Sequence, residues 1–373
     1  MNESNVSSLT LPEFPIWEKI KGKKIPISFE LELSARCNCN CRHCYINLPP
    51  GDIEARNREL SLDEIKILAD EAKNLGALWC LITGGEPLLR EDFFEIYIYL
   101  KKKGFLITIF TNATLITQKH IDLFKKFPPR DIEVTVYGIS KKTYEKVTRI
   151  PGSFYKFKKG LDLLLNNGIK IILKSMALRS NIYEMGKIHN FCKEHSNKPY
   201  RFDPFLHLRY DGDPLRNEEI KSERLSPQEI IDLERSDPER FEGLKKKCDT
   251  LIIPEPIQKE STPLFNCSLG SKNFVLGYNG FFRLCSSLNH PDCIYDLRKI
   301  SLIDAWNKLL PEVRKKTTQN QEIKDKCQIC RIKDLCMWCP AHVFLEIGIL
   351  DGNVDYFCKV AHARENNVKN IDI

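Results

Sequence analysis

No run of about eighteen apolar residues occurs in this sequence, so a membrane-spanning helix is not expected. The opening MNESNVSSLTLPEFPIWEKI lacks a basic start followed by an apolar stretch, which argues against a secretory signal. Low-complexity tracts, the mark of a disordered chain, are missing too. Charge of one sign is not concentrated anywhere. The chain has 57 Lys and Arg against 50 Asp and Glu, and the net +7 is spread over surfaces where bases alternate with acids. No basic stripe points to nucleic acid. The expectation is a cytoplasmic protein with neither membrane nor nucleic acid as partner. At 373 residues it is long enough for a large domain and a smaller one.

What the sequence has in excess is cysteine. There are fifteen, and they are clustered: four lie within residues 37–44 and eight between 267 and 358. In a reducing compartment this is not a disulfide framework. Thiolates in such groups select zinc or iron–sulfur clusters.

Between these groups the chain alternates strand-like and helix-like segments. Residues 27–34, 78–83, 105–111, 131–137, 169–176 and 200–206 read as strands. A capping box at Ser61 and Glu64 opens a helix with an apolar face of Ile65, Leu68, Ala69, Ala72 and Leu75. Further helices are expected over 92–103, from a cap at Thr117 to 127, over 140–147 and 154–167, and from a cap at Asn181 to 195. Six strand–helix units in series require right-handed crossovers and a parallel sheet. Six is short of the eight that close a barrel, so the expected α/β fold is an open, partial (β/α)6 TIM-like barrel. The divisions expected are a lead-in over 1–24, the barrel over 25–206, a charged bridge over 207–247 with one helix near 227–235, and a small cysteine-rich domain over 248–373.

The loop after the first strand reads SARCNCNCRHCY. Cys37, Cys41 and Cys44 have the spacing C-x3-C-x2-C, and three thiolates on one loop leave the fourth iron of a [4Fe–4S] cube open to a ligand. A structural zinc site takes four protein ligands, and Cys39 or His43 could supply the fourth. One strand further on stands Gly84-Gly85-Glu86-Pro87, where two glycines allow close backbone approach and a carboxylate suits an amino-acid head group. This spacing, with His43 before the last cysteine and GGEP after the second strand, resembles the radical S-adenosylmethionine (SAM) superfamily. The resemblance implies a cluster on Cys37, Cys41 and Cys44 that binds and reductively cleaves SAM to a 5′-deoxyadenosyl radical. It also implies a methionine-binding loop at Gly84, Gly85, Glu86 and Pro87. Asn112 follows Thr111, where relatives usually read Thr-Asn-Gly; here Ala113 replaces the glycine. Thr135 resembles the residue whose hydroxyl meets the SAM ribose. Lys174 on the fifth strand and Tyr45 beside the cluster complete the expected cofactor contacts, with ordinary packing as the alternative for each.

In the last third, Cys267, Gly280, Cys285, Cys327, Cys330, Cys336, Cys339 and Cys358 resemble a SPASM domain, the auxiliary-cluster extension of many such enzymes; a zinc ribbon is the plainer reading. The resemblance implies two auxiliary [4Fe–4S] clusters, one on Cys267, Cys285 and Cys339 and one on Cys327, Cys330, Cys336 and Cys358. Two residues separate Cys336 from Cys339, where the family usually has three. Cys248 or Cys293 could complete the first set, or its fourth iron could be open. Cys80 and Cys192 read as buried, inert thiols. Relatives with this extension mostly modify peptides. The expected activity is therefore maturation of a ribosomally made peptide, by thioether or carbon–carbon crosslinking or by epimerisation. The partners implied are a precursor peptide or protein, a reductant such as flavodoxin or ferredoxin, and a separate leader-binding protein. A small-molecule dehydrogenase or rearrangement enzyme acting on a sugar or amino acid is the alternative. A non-enzymatic zinc-binding interaction protein is the remote one.

Overall fold

The computed structural model describes residues 15–196, 198–252, 263–265, 267 and 272–369. Strands β1 (Ser28–Glu32), β2 (Trp79–Thr83), β3 (Leu106–Thr111), β4 (Asp131–Thr135), β5 (Ile171–Met176) and β6 (Arg201–Asp203) lie side by side in chain order. Every neighbouring pair among them is parallel. Helices lie between them, as the partial barrel requires.

Local sequence explains the elements. Helix Leu62–Asn74 starts at the Ser61–Glu64 capping box: Glu64 N donates to Ser61 Oγ at 3.2 Å and Ser61 N to Glu64 Oε2 at 2.7 Å. Its buried face is Ile65, Leu68, Ala69 and Ala72. On β1, residues alternate sides. Phe29 and Leu31 are buried in the main core, and Phe29 meets Phe105 and Phe274.

Three features differ from the pattern reading. The sheet does not stop at six strands. β7 (Asn273–Leu276) pairs parallel with the free edge of β1, and β8 (Phe281–Arg283) and β9 (Ile294–Asp296) follow antiparallel, giving one nine-stranded sheet. The apolar faces of Phe274, Phe282 and Trp306 join the same core as Phe29. The charged stretch after β6 is largely helical, with Pro214–Glu223, Pro227–Arg235 and Pro238–Leu251 where one helix was expected. Pro214–Glu223 has almost no apolar face to betray it; Asp213 caps it, accepting from Leu215 N and Arg216 N. The cap expected at Thr117 is present, with His120 as its capping-box partner. Asn181 caps no helix: its Nδ2 donates to Tyr137 O and Met176 O, which ties the ends of β4 and β5 together.

Candidate functional site

The cysteine loop leaves the carboxyl end of β1, the end at which parallel α/β barrels carry their chemistry. Backbone bonds from Cys37 N to Leu48 O (2.9 Å) and from Leu48 N to Ala35 O (2.8 Å) close its base. Arg36 and Ser34 both donate to the Glu59 carboxylate, at 2.7 and 2.5 Å. From beyond β6, Arg209 donates to Cys44 O and Asn47 Oδ1, and Arg216 to Cys41 O and Asn47 Oδ1. Cys37, Cys39 and Cys41 form one buried group, with Cys44 and the Tyr137 ring packed on it. The His43 ring lies tilted against Tyr137, centroids 5.2 Å apart, and its Nδ1 is buried without a hydrogen-bond partner.

The GGEP loop is built against this one. A Cβ on Gly84 would lie 2.3 Å from Ser34 O, and one on Gly85 2.3 Å from Arg36 O. The glycines thus permit the two loops to touch; Gly85 N donates to Ser34 O at 2.6 Å and Glu86 N to Arg36 O at 2.9 Å. Glu86 is fully buried, and its oxygens accept from Leu88 N, Thr111 Oγ1 and Asn112 N. Burial pushes its carboxyl up to about 7 despite those bonds. The carboxylate braces the loop on the end of β3. Pro87 opens a short helical turn, Pro87–Leu89. Gly85→Ala should keep the loop from seating, lowering SAM affinity at least about tenfold and stability by about 1–3 kcal/mol. Calorimetric titration with SAM and a melting curve would check both.

Asn112 reaches back to the cysteine loop, donating to Asn38 Oδ1 at 2.9 Å and to Cys37 Sγ at 3.8 Å. Ala113, buried, adopts φ 61°, the left-handed conformation that a glycine takes more readily. Thr135 ends β4, half-buried, on the lumen side with Glu133. Lys174 donates to Glu133 Oε2 at 2.9 Å and lies 3.1 Å over the Phe110 ring. Tyr45 packs on Tyr210, ring centroids 4.9 Å apart, and edge-on to His207.

Two acids of β1, Glu30 and Glu32, also face the lumen. Burial and the neighbouring Glu32 push Glu30 up to about 7, against the pull of Arg283 and Lys174. The folded chain therefore holds a proton on Glu30 that the unfolded chain releases near 4.5, and stability falls as pH rises between about 4.5 and about 7. Glu30→Gln removes this dependence. Its stability relative to wild type should grow across that window to roughly 3 kcal/mol at most. Melting midpoints of both proteins at about pH 5.5 and about pH 8 give the comparison.

The later cysteines fall into two neighbourhoods. Cys285 is pushed up to about 12 by burial and then by Cys339 and Cys267. Cys336 is pushed up to about 11 by burial, with Cys358, Cys327 and Cys330 adding to it. Among the described residues no three His, Cys, Asp or Glu side chains are set to hold a single metal ion. The donor chemistry fits a cluster in another way. Backbone N–H groups are aimed at the sulfurs of Cys44 (from Ile46 and Asn47), Cys285 (Ser287 and Leu288), Cys336 (Trp338) and Cys339 (Ala341 and His342). Such donors stabilise thiolates and tune iron–sulfur sites. Cys80 and Cys192 lack them; burial alone raises their thiols. Cys293 is fully buried in the main core, with Lys316 and Asp292 as its charged neighbours. The Cys248 side chain lies outside the described residues. Tyr137, Arg209 and Arg216 were not singled out in the sequence; nothing local marks them, because each meets the cysteine loop from a distant element.

A thiol-rich loop braced by a glycine-rich second loop thus stands at the open end of a parallel partial barrel, the arrangement expected of a SAM-dependent iron–sulfur enzyme. The Radical SAM superfamily model matches residues 31–192, so the chain carries a Radical SAM domain there, and that superfamily implies a [4Fe–4S] cluster and SAM. The chain is 26% identical over 309 residues to the AdoMet-dependent heme synthase of Methanosarcina barkeri, covering 78% of this chain and 85% of that protein. To the antilisterial bacteriocin subtilosin biosynthesis protein AlbA of Bacillus subtilis it is 24% identical over 266 residues, 70% of this chain and 55% of that one. Streptococcus suis SuiB bound to its precursor peptide SuiA superposes with a TM-score of 0.67 over 96% of this chain and 84% of SuiB. At 15% identity that likeness speaks for the fold. Among the described residues no helix is long and apolar enough to cross a membrane.

Proposed function

We propose that this enzyme modifies a peptide, most simply a ribosomally made precursor, with SAM-derived radical chemistry at one end of the lumen and an auxiliary cluster at the other. One observation carries the reading. β8 runs antiparallel to β7 and β1, so its exit, with Cys285, leads away from the end where Cys37 lies. In this reading the lumen residues stand between the two thiol groups. The likeness to SuiB in fold and to AlbA in sequence supports a peptide as the substrate that enters there.

In this reading Cys37, Cys41 and Cys44 hold the first cluster, and Gly84–Pro87, Asn112, Thr135 and Tyr45 line the SAM pocket. When bound, the cluster and SAM supply the radical that removes a hydrogen atom from the substrate. This chain's residues orient and shield. Arg209 and Arg216 fix the loop's carbonyls, Glu86 locks the second loop to β3, and Tyr137 seals the thiols from water. Cys267, Cys285 and Cys339 would hold one auxiliary cluster, and Cys327, Cys330, Cys336 and Cys358 the other; such clusters would supply an acceptor for the electron that crosslinking releases. A flavodoxin or ferredoxin supplies the reducing electron, and a separate protein delivers the leader.

A small molecule is the second reading, favoured by the length of the match to the heme synthase. Co-expression with short reading frames beside the gene, followed by peptide mass spectrometry in light and heavy water, separates the two. Loss of two hydrogens means a crosslink or desaturation. Unchanged mass with one deuterium gained means epimerisation. No change in either solvent, with SAM still cleaved, removes the peptide reading.

A further inference from the structure

The lumen holds two acids on one strand, and only one of them is paired. The sheet register runs Glu30–Val275–Arg283, so Arg283 of β8 shares a face with Glu30, two strands away. Arg283 is 3% exposed and closes an ion pair with Glu32, itself 2% exposed. Its guanidinium lies 4.9 Å over the Tyr210 ring, which in turn packs on Tyr45. The buried Nε of Arg283 has no hydrogen-bond partner. Among the described residues no side chain donates a hydrogen bond to Glu30 or pairs with it. The chain thus keeps Glu30 beside the Glu32 carboxylate, where partial burial and the like charge make its ionised form costly. Residues kept at a cost of this kind are completed by a ligand.

The sign of that ligand follows from the neighbours. Arg283 is matched by Glu32, and Lys174 and Arg201 share Glu133. The carboxylate left over is Glu30. We propose that Glu30, backed by the Glu32–Arg283 pair, is the anchor for a protonated nitrogen of the substrate, with Arg283 Nε donating to a carbonyl beside it. This rests on the peptide reading above. The nitrogen is a lysine side-chain ammonium or a peptide amino terminus.

The test uses the anaerobically reconstituted enzyme with SAM and fluorescent hexapeptides of Gly and Ser. Each carries one central Lys, norleucine or Glu, with the amino terminus free or acetylated. Fluorescence anisotropy should show a peptide with a free ammonium binding about tenfold or more tighter than acetylated norleucine peptide. The preference should vanish in Glu30→Gln and return in part in Glu30→Asp. Comparing acetylated Lys with free-terminus norleucine tells the two sources apart. Equal binding of charged and neutral peptides, a preference that survives Glu30→Gln, or tightest binding of the Glu peptide would overturn the anchor. Should no hexapeptide bind, the melting midpoint in n-butylammonium chloride against sodium chloride decides. A rise in wild type that Glu30→Gln abolishes keeps the cation anchor while the peptide reading falls; no such rise overturns the anchor.

Discussion

Replacing Cys37, Cys41 and Cys44 together with alanine should abolish release of 5′-deoxyadenosine, a loss of at least about a thousandfold, and remove about four irons per chain. The replacement must be threefold. Cys39 lies in one buried group with Cys37 and Cys41, so a single substitution leaves a neighbouring thiol able to stand in as a ligand. The fold should survive, because the loop is fixed independently of its sulfurs, by Arg36 on Glu59, by Arg209 and Arg216 on Asn47, and by the GGEP loop against Ser34 and Arg36. Iron analysis and chromatography of the SAM products read both sides. A triple variant that still cleaves SAM would place the site elsewhere, and one that loses all its iron would merge the two thiol regions into one cooperative unit.

Much of this arrangement is legible in the sequence because it is local. The capping box at Ser61, the strand alternations and the cysteine spacing each occupy a few adjacent residues. What is not legible depends on pairs far apart in the chain. ISFELELS reads as a strand, and its acids fall on one side of it, but nothing in those eight residues names Arg283 as the partner of Glu32. The extension of the sheet by β7 is hidden for the same reason. NFVL is a plain apolar run, and its parallel pairing with β1 is decided by the open barrel edge that β1 presents. The glycines of GGEP were read as room for a ligand, whereas their Cβ positions are filled by the backbone of Ser34 and Arg36. Sequence identifies a position that tolerates no side chain without saying what stands there. Tyr137 could be found only once β4 had been placed next to the loop after β1.

Replacing Cys327 and Cys330 with alanine should unfold the region around them, an effect larger than the ~0.5–3 kcal/mol of an ordinary substitution. The reason is the size of its own core. Ile332, Leu335 and Ala361 are its fully buried apolar residues, helped at the edges by Leu244, Leu251, Ile252, Val368 and the cysteines themselves. At about 1.5–3 kcal/mol for each large buried side chain, this falls short of the cost of ordering the turns that carry the four thiols. Helix Asp355–Lys369 is held from the other side, through Arg364 on Glu234 at 2.6 Å and the Tyr356 hydroxyl donating to Leu225 O at 3.0 Å. The helix should therefore stay attached while the turns at 323–339 come apart. Limited proteolysis would show new cuts confined to that stretch, and SAM cleavage without substrate should persist, because Cys37, Cys41 and Cys44 stand on the barrel. A double variant as protease-resistant as wild type would mean that this region folds without a cluster, and the four cysteines would then need another explanation.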